Sequence, residues 1–228
     1  MKLLAIDTST ALASVALLVE QDVVEETQED VRQHAPFLLP MVSRVLSTAG
    51  LHFSQLDGIV FGRGPGSFTG IRIACSMAKG FALAYDLPVY PVSTLAAIAI
   101  KAWDESVKVP HPPLQDTVIL SVMDARMNEI YWAFFKPGAA DADECVTAAS
   151  AVIIPDTSPL ILAGVGLETY AQALPDAIGV RLINQVTVFP HASAMTRLVQ
   201  SGQVQAVSAE EALPVYIRHP ITQGESRG

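Results

Sequence analysis

Apolar runs recur along the chain in two matching patterns. Leu3 to Ile6 is a short apolar run that ends at Asp7, and after Thr8-Ser9-Thr10 the pattern resumes from Ala11 to Val19. This predicts a strand, an acidic turn and a second strand. The same order returns at Val118 to Met123, closed by Asp124, followed by Ala125-Arg126-Met127-Asn128 and the aromatic run Ile130 to Phe135. Two such hairpins imply an α/β fold of two related lobes from a duplicated unit, with a cleft between them. The divide is expected near Trp103 to Leu114, where Asp104, Glu105, Lys108, Pro110, Pro112 and Pro113 interrupt the apolar pattern. Residues 1–103 would then form the first lobe and 104–228 a second, smaller one, with a helix near 191–201 free to pack back on the first.

Between the hairpins the period changes to that of helices. After Pro36, apolar residues at Leu38, Val42, Val45, Leu46 and Ala49 keep helical spacing, while Phe37 and Met41 widen the arc beyond one core contact. Ile71 to Tyr85 predicts a helix that is apolar nearly all round, broken by a stripe of Arg72, Ser76 and Lys79, with Ala74, Ala78 and Ala82 forming a ridge of small residues. Such a helix must be covered on most faces, either by its own domain or in part by a partner. Further on, Leu160 to Ala163 predicts a strand, Gly164-Val165-Gly166 a turn, and Leu167 to Leu174 and His191 to Ser201 helices. The tail from Thr222 reads as unstructured.

Gly62-Arg63-Gly64-Pro65-Gly66-Ser67-Phe68-Thr69-Gly70-Ile71-Arg72 joins the strand Leu56 to Phe61 to the apolar helix. A glycine-rich link into a helix start offers free N–H groups to an anion, and it also permits tight helix–sheet packing. The sequence leaves both readings open. The glycines fit neither the phosphate loop ending in Gly-Lys-Ser/Thr nor the dinucleotide fingerprint.

Composition narrows the classes. The chain has 228 residues, half of them hydrophobic, enough for a substantial core. One lysine followed by a run of four apolar residues before Asp7 is too little for a signal peptide, and no apolar run approaches membrane-spanning length, so a soluble protein is expected. Cys75 and Cys145 are far apart, which suggests reduced thiols and a cytoplasmic location. With 23 acidic against 14 basic residues the net charge is −9, which opposes direct binding of a phosphate backbone.

Asp7 and Asp124 occupy equivalent places in the two hairpins. Paired there, they could hold a magnesium ion while Thr8, Ser9 and the Gly164-Val165-Gly166 turn approach a nucleotide, as in an actin-like ATPase or small-molecule kinase. Alternatively each accepts hydrogen bonds from its own turn. His34 has Leu38 four positions on, so no second imidazole shares its face, and no His-Glu-x-x-His occurs. Gly-x-Ser-x-Gly fails at Thr69, and Cys75 lies on an apolar helix, where a thiol behaves as a small hydrophobe. No catalytic residue and no metal ligand set is assigned.

Taken together, Ile6-Asp7-Thr8-Ser9, the glycine loop, Pro91-Val92-Ser93-Thr94-Leu95, Asp124-Ala125-Arg126-Met127 with Tyr131-Trp132, and Pro214-Val215-Tyr216-Ile217-Arg218 resemble the bacterial TsaB (YeaZ) family. The resemblance spans almost the whole chain. It implies a two-lobed actin-like (ASKHA, sugar-kinase-type) fold and a non-catalytic role in placing threonylcarbamoyl on adenosine 37 of tRNAs that read codons starting with A. In that family the paralogue TsaD carries the active site and metal, and TsaE is an ATPase on the complex. The resemblance therefore implies no cofactor of the chain's own, ATP and a metal ion on its partners, and contact with tRNA only through them. A glycopeptidase reading rests on an older label for these relatives and is opposed by the missing ligands. Helices of the first lobe pair with TsaD as a bundle, which here maps to Pro36 to Ala49 and Ile71 to Tyr85 and makes Phe37, Met41, Arg72, Ser76, Ala78 and Lys79 the expected partner-binding residues. A homodimer in isolation stays open.

Overall fold

The computed structural model describes residues 1–29, 35–108, 116–155 and 157–218. Its first sheet contains β1 (Lys2–Asp7), β2 (Ala13–Val19), β3 (Asp22–Gln28), β4 (Gly58–Gly64) and β5 (Val89–Ser93), in the order β3-β2-β1-β4-β5. The second contains β6 (Val118–Asp124), β7 (Glu129–Phe135), β8 (Cys145–Ala148), β9 (Leu160–Val165) and β10 (Leu182–Thr187), in the order β10-β9-β6-β7-β8. Each sheet starts with a strand that pairs antiparallel with the next and parallel with the fourth. The two sheets share one topology, that of a duplicated actin-like lobe. Both central strands are buried on two faces, so β1 and β6 are nearly continuous apolar runs rather than alternating ones.

Helices fill equivalent connections unequally. In the first half α1 (Ala35–Thr48) follows β3, α2 (Phe68–Tyr85) joins β4 to β5, and α3 (Thr94–Ser106) follows β5. In the second half only the short α4 (Leu167–Tyr170) and α5 (Asp176–Gly179) join β9 to β10, and α6 (Ala192–Gln200) follows β10. The helix expected over Leu167 to Leu174 is thus α4 followed by a 3-10 turn at Ala171–Ala173. α2 starts at a Ser67 cap that accepts from the Gly70 amide at 3.3 Å and stops at Asp86 in the left-handed region.

α3 and α6 cross over. α3, from the first half, packs mainly on β6, β9 and β10, whereas α6, from the second half, packs on β1, β2 and β4. One hydrophobic core therefore includes Leu3, Ala5 and Ala16 of the first sheet, Ile119, Met123 and Ile161 of the second, and Leu95, Ile98, Met195 and Leu198 of the two helices. This explains why Thr94 to Ala102 shows no amphipathic period: the helix has protein on all sides. The interruption expected from Trp103 begins later, because Trp103, Asp104 and Glu105 still belong to α3. Residues 109–114 of that linker, His34 and the tail from Thr222 lie outside the described residues. Among the described residues no helix is long and apolar enough to cross a membrane.

Candidate functional site

Between the lobes lies a cleft of about 930 Å³ whose walls include Ser9, Ser67 and Gly70 on one side and Asp124, Arg126 and Arg218 on the other. The glycine loop forms the first wall, and here close packing accounts for its composition. A Cβ at Gly70 would lie 1.8 Å from the Thr8 carbonyl oxygen, and one at Gly66 would lie 2.5 Å from that of Ser9. The loop is held down by the Ser67 amide donating to the Ser9 carbonyl at 2.7 Å and by the Thr8 hydroxyl donating to the Gly70 carbonyl at 2.7 Å.

Both aspartates accept hydrogen bonds from their own turns, in different surroundings. Asp7 is fully buried, and its Oδ1 accepts from the Ser9 amide at 3.1 Å and hydroxyl at 2.7 Å, while Oδ2 has no hydrogen-bond partner. Burial outweighs the Ser9 bonds and raises its pKa to about 6. Oδ2 lies against Gly62, where any Cβ would fall 1.9 Å from it, and Asp7 is not among the residues lining the cleft. Asp124 does line it. Its Oδ1 accepts from the Arg126 amide and the Tyr170 hydroxyl, both at 2.7 Å, and Arg126 is 3.3 Å from Oδ2. The hydrogen bond to Asp124 raises the Tyr170 pKa. Gly164 packs so closely that a Cβ would sit 1.8 Å from the Val122 carbonyl oxygen, and Gly166 caps α4 in the left-handed region. The structure thus gathers Ser9 and Asp124 at the cleft but turns Asp7 and Thr8 into the core. Among the described residues no group of three His, Cys, Asp or Glu is placed to hold a metal ion.

The helices expected to face a partner divide in a similar way. Phe37, Arg72 and Ser76 are exposed, as are the large apolar side chains Leu39 on α1 and Phe68 and Leu83 on α2. Met41 is 1% exposed and Ala78 0%, and both pack in the core between these helices and the first sheet. Their assignment to a partner-facing surface is therefore corrected: the small-residue ridge faces the chain's own sheet, and Ala78→Glu would report on folding rather than on docking.

Part of the α2 stripe is occupied from within. The Lys79 ammonium donates to the Glu210 and Ala212 carbonyls at 3.1 and 3.3 Å, and the Arg72 guanidinium donates to the Tyr216 hydroxyl at 2.7 Å while lying 3.7 Å above the Phe68 ring. The segment from Ala206 to Arg218 is a strap across α2 that continues to the second lobe, where Arg218 pairs with Glu129. The strap has neither helical nor strand period, so no local pattern marks it beyond the motif Pro214-Val215-Tyr216-Ile217-Arg218. The polar stripe on an otherwise apolar helix was the available signal.

The fold and the cleft between its lobes are those of a two-lobed actin-like protein whose first hairpin is turned into the core. The family model of TsaD, tRNA N6-adenosine threonylcarbamoyltransferase, matches residues 23–212. The TsaB protein of Haemophilus influenzae, described as a tRNA threonylcarbamoyladenosine biosynthesis protein, is 32% identical, over 96% of this chain and 94% of its own. The Escherichia coli protein of the same description is 33% identical over 97% and 96%. The solved structure of YeaZ from Pseudomonas aeruginosa superposes with a TM-score of 0.83 at 36% identity, covering 94% of this chain and 99% of that one. The chain belongs to the TsaB/YeaZ family.

Proposed function

We propose that this chain is the non-catalytic accessory subunit in the making of threonylcarbamoyladenosine in tRNA, acting with TsaD, which transfers the group, and with TsaE. The observation that carries this is the likeness to TsaB proteins along nearly the full length of both chains. The first hairpin supports a role other than phosphoryl transfer, because Asp7, Thr8 and Ser9 are engaged with their own turn and with the glycine loop. The TsaD-facing surface is built on α1 and α2 from exposed residues such as Phe37, Leu39, Phe68 and Leu83, which stand where a second pair of helices can bury them. The chain needs no cofactor of its own, and ATP and metal act on the partner subunits. With a net charge of −9 it meets tRNA only through those partners, in the cytoplasm.

The test is threonylcarbamoyl transfer to unmodified tRNA by the purified chain alone, by TsaD with TsaE, and by all three. Transfer is expected only when TsaD is present and is expected to fall at least tenfold when the chain is omitted. Transfer by the chain alone would overturn the proposal.

A further inference from the structure

Glu144 sits just before β8 in the second lobe, yet both of its oxygens are held by the first. Oε2 accepts from the Arg63 guanidinium at 3.0 Å, and Oε1 accepts from the Ser93 hydroxyl. The Glu144 side chain is 7% exposed and that of Arg63 18%, so the pair is largely out of water. Ser93 is itself buried and caps α3, accepting from the Ala96 amide at 3.1 Å. Arg63 belongs to the glycine loop, and its carbonyl accepts from the Val215 amide of the strap at 2.8 Å. That strap goes on to pair Arg218 with Glu129 in the second lobe. Two separate connections between the lobes therefore meet at Arg63.

We propose that Glu144 is an interlobe latch: by holding Arg63 and Ser93 together it fixes the angle between the lobes and the position of the glycine loop from which α2 starts. Two-lobed phosphotransferases work by closing a cleft around substrate, which needs a hinge with few cross-lobe bonds. A buried carboxylate that must leave both a guanidinium and a hydroxyl opposes such rotation, since each group would lose its partner in a poorly hydrated place. The cleft stays at one width, and the first-lobe helices are presented in one pose. This deepens the accessory-subunit reading but is tested on the chain alone, so its failure leaves that reading standing.

Spin labels at Ser47→Cys and Thr169→Cys, both exposed sites, in a Cys145→Ser background with Cys75 buried, report the interlobe distance by double electron–electron resonance in the full chain. One narrow distribution is expected with Glu144 present. Glu144→Ala should at least double its width or add a second distance while circular dichroism stays native. Replacing both charges, Arg63→Met with Glu144→Met, avoids an unpaired buried charge and keeps the test readable if the single variant does not fold. The double variant is expected to show the same broadening. A folded variant of either kind that retains the narrow wild-type distribution would overturn the latch and assign lobe rigidity to the shared core.

Discussion

The turns after β1 and β6 occupy the same place in two copies of one topology, yet they have come to different ends. At the first, Asp7 is fully buried, its turn is pressed beneath α2, and one carboxylate oxygen faces glycine backbone. At the second, the Asp124 side chain is 33% exposed, lines the cleft and is shared by Arg126 and Tyr170. Symmetry in sequence therefore does not give symmetry in chemistry. What separates them is the neighbour: a full-length helix covers the first turn, whereas the matching connection in the second lobe has shrunk to α4 and α5.

The largest difference between the two turns is at glycine. Gly70→Val would drive a Cβ into the Thr8 carbonyl oxygen and is expected to cost more than about 4 kcal/mol, enough to prevent folding. At Gly166 a Cβ would find its nearest neighbour at 3.9 Å, so Gly166→Ala should cost only the about 1 kcal/mol of a positive φ. Thermal and urea unfolding of the two variants measures the contrast, and equal losses would refute it.

A smaller effect concerns charge. The folded pKa of Asp7, about 6, lies above its usual 3.8, so this group favours the fold below pH 3.8 and loses that contribution, on the order of 3 kcal/mol, as pH rises through 6. Asp7→Asn should therefore be at least as stable as wild type at pH 8, with any advantage vanishing by pH 4. A gap that ignores pH would mean that the carboxyl is not raised. Glu25 shows the opposite sign. Burial raises it, but His191 and Ser193 outweigh burial and hold it at about 2, so its contribution is present above pH 4.5 and lost as pH falls through 2. Glu25→Gln should therefore be less stable than wild type at pH 6, with the gap closing as pH falls to 2, and melting curves over pH 2 to 6 check this. At the second turn, Tyr170→Phe removes one hydrogen bond beside solvent and should cost about 1 kcal/mol or less, read from urea midpoints.

Much of this contrast was out of reach of the sequence. The hairpins, the β4 strand and α2 were legible because apolar periodicity and glycine spacing are local signals. The same applies to the two aspartates, whose equivalence is visible in the flanking residues. Their burial is not, since it depends on Gly70 and Gly62 approaching from elsewhere in the fold. Ala78 and Met41 were misplaced for a related reason: a helix apolar on most faces gives no direction for its core side, and only the sheet beneath it does. α3 was hidden because a helix enclosed by two sheets has no polar face. The Arg63–Glu144 pair and the strap join residues far apart in the chain, and nothing near either partner announces the other.

On the accessory-subunit reading, the duplicated aspartates do structural rather than chemical work in this chain. Asp7→Asn combined with Asp124→Asn keeps the turn acceptors for Ser9, Arg126 and Tyr170 while removing both carboxylates from any reaction. In threonylcarbamoyl transfer reconstituted with TsaD and TsaE, this double variant is expected to support a rate within about twofold of wild type. A folded, TsaD-binding double variant whose rate falls by a hundredfold or more, the scale of a lost acid–base or ion-binding group, would contradict the claim.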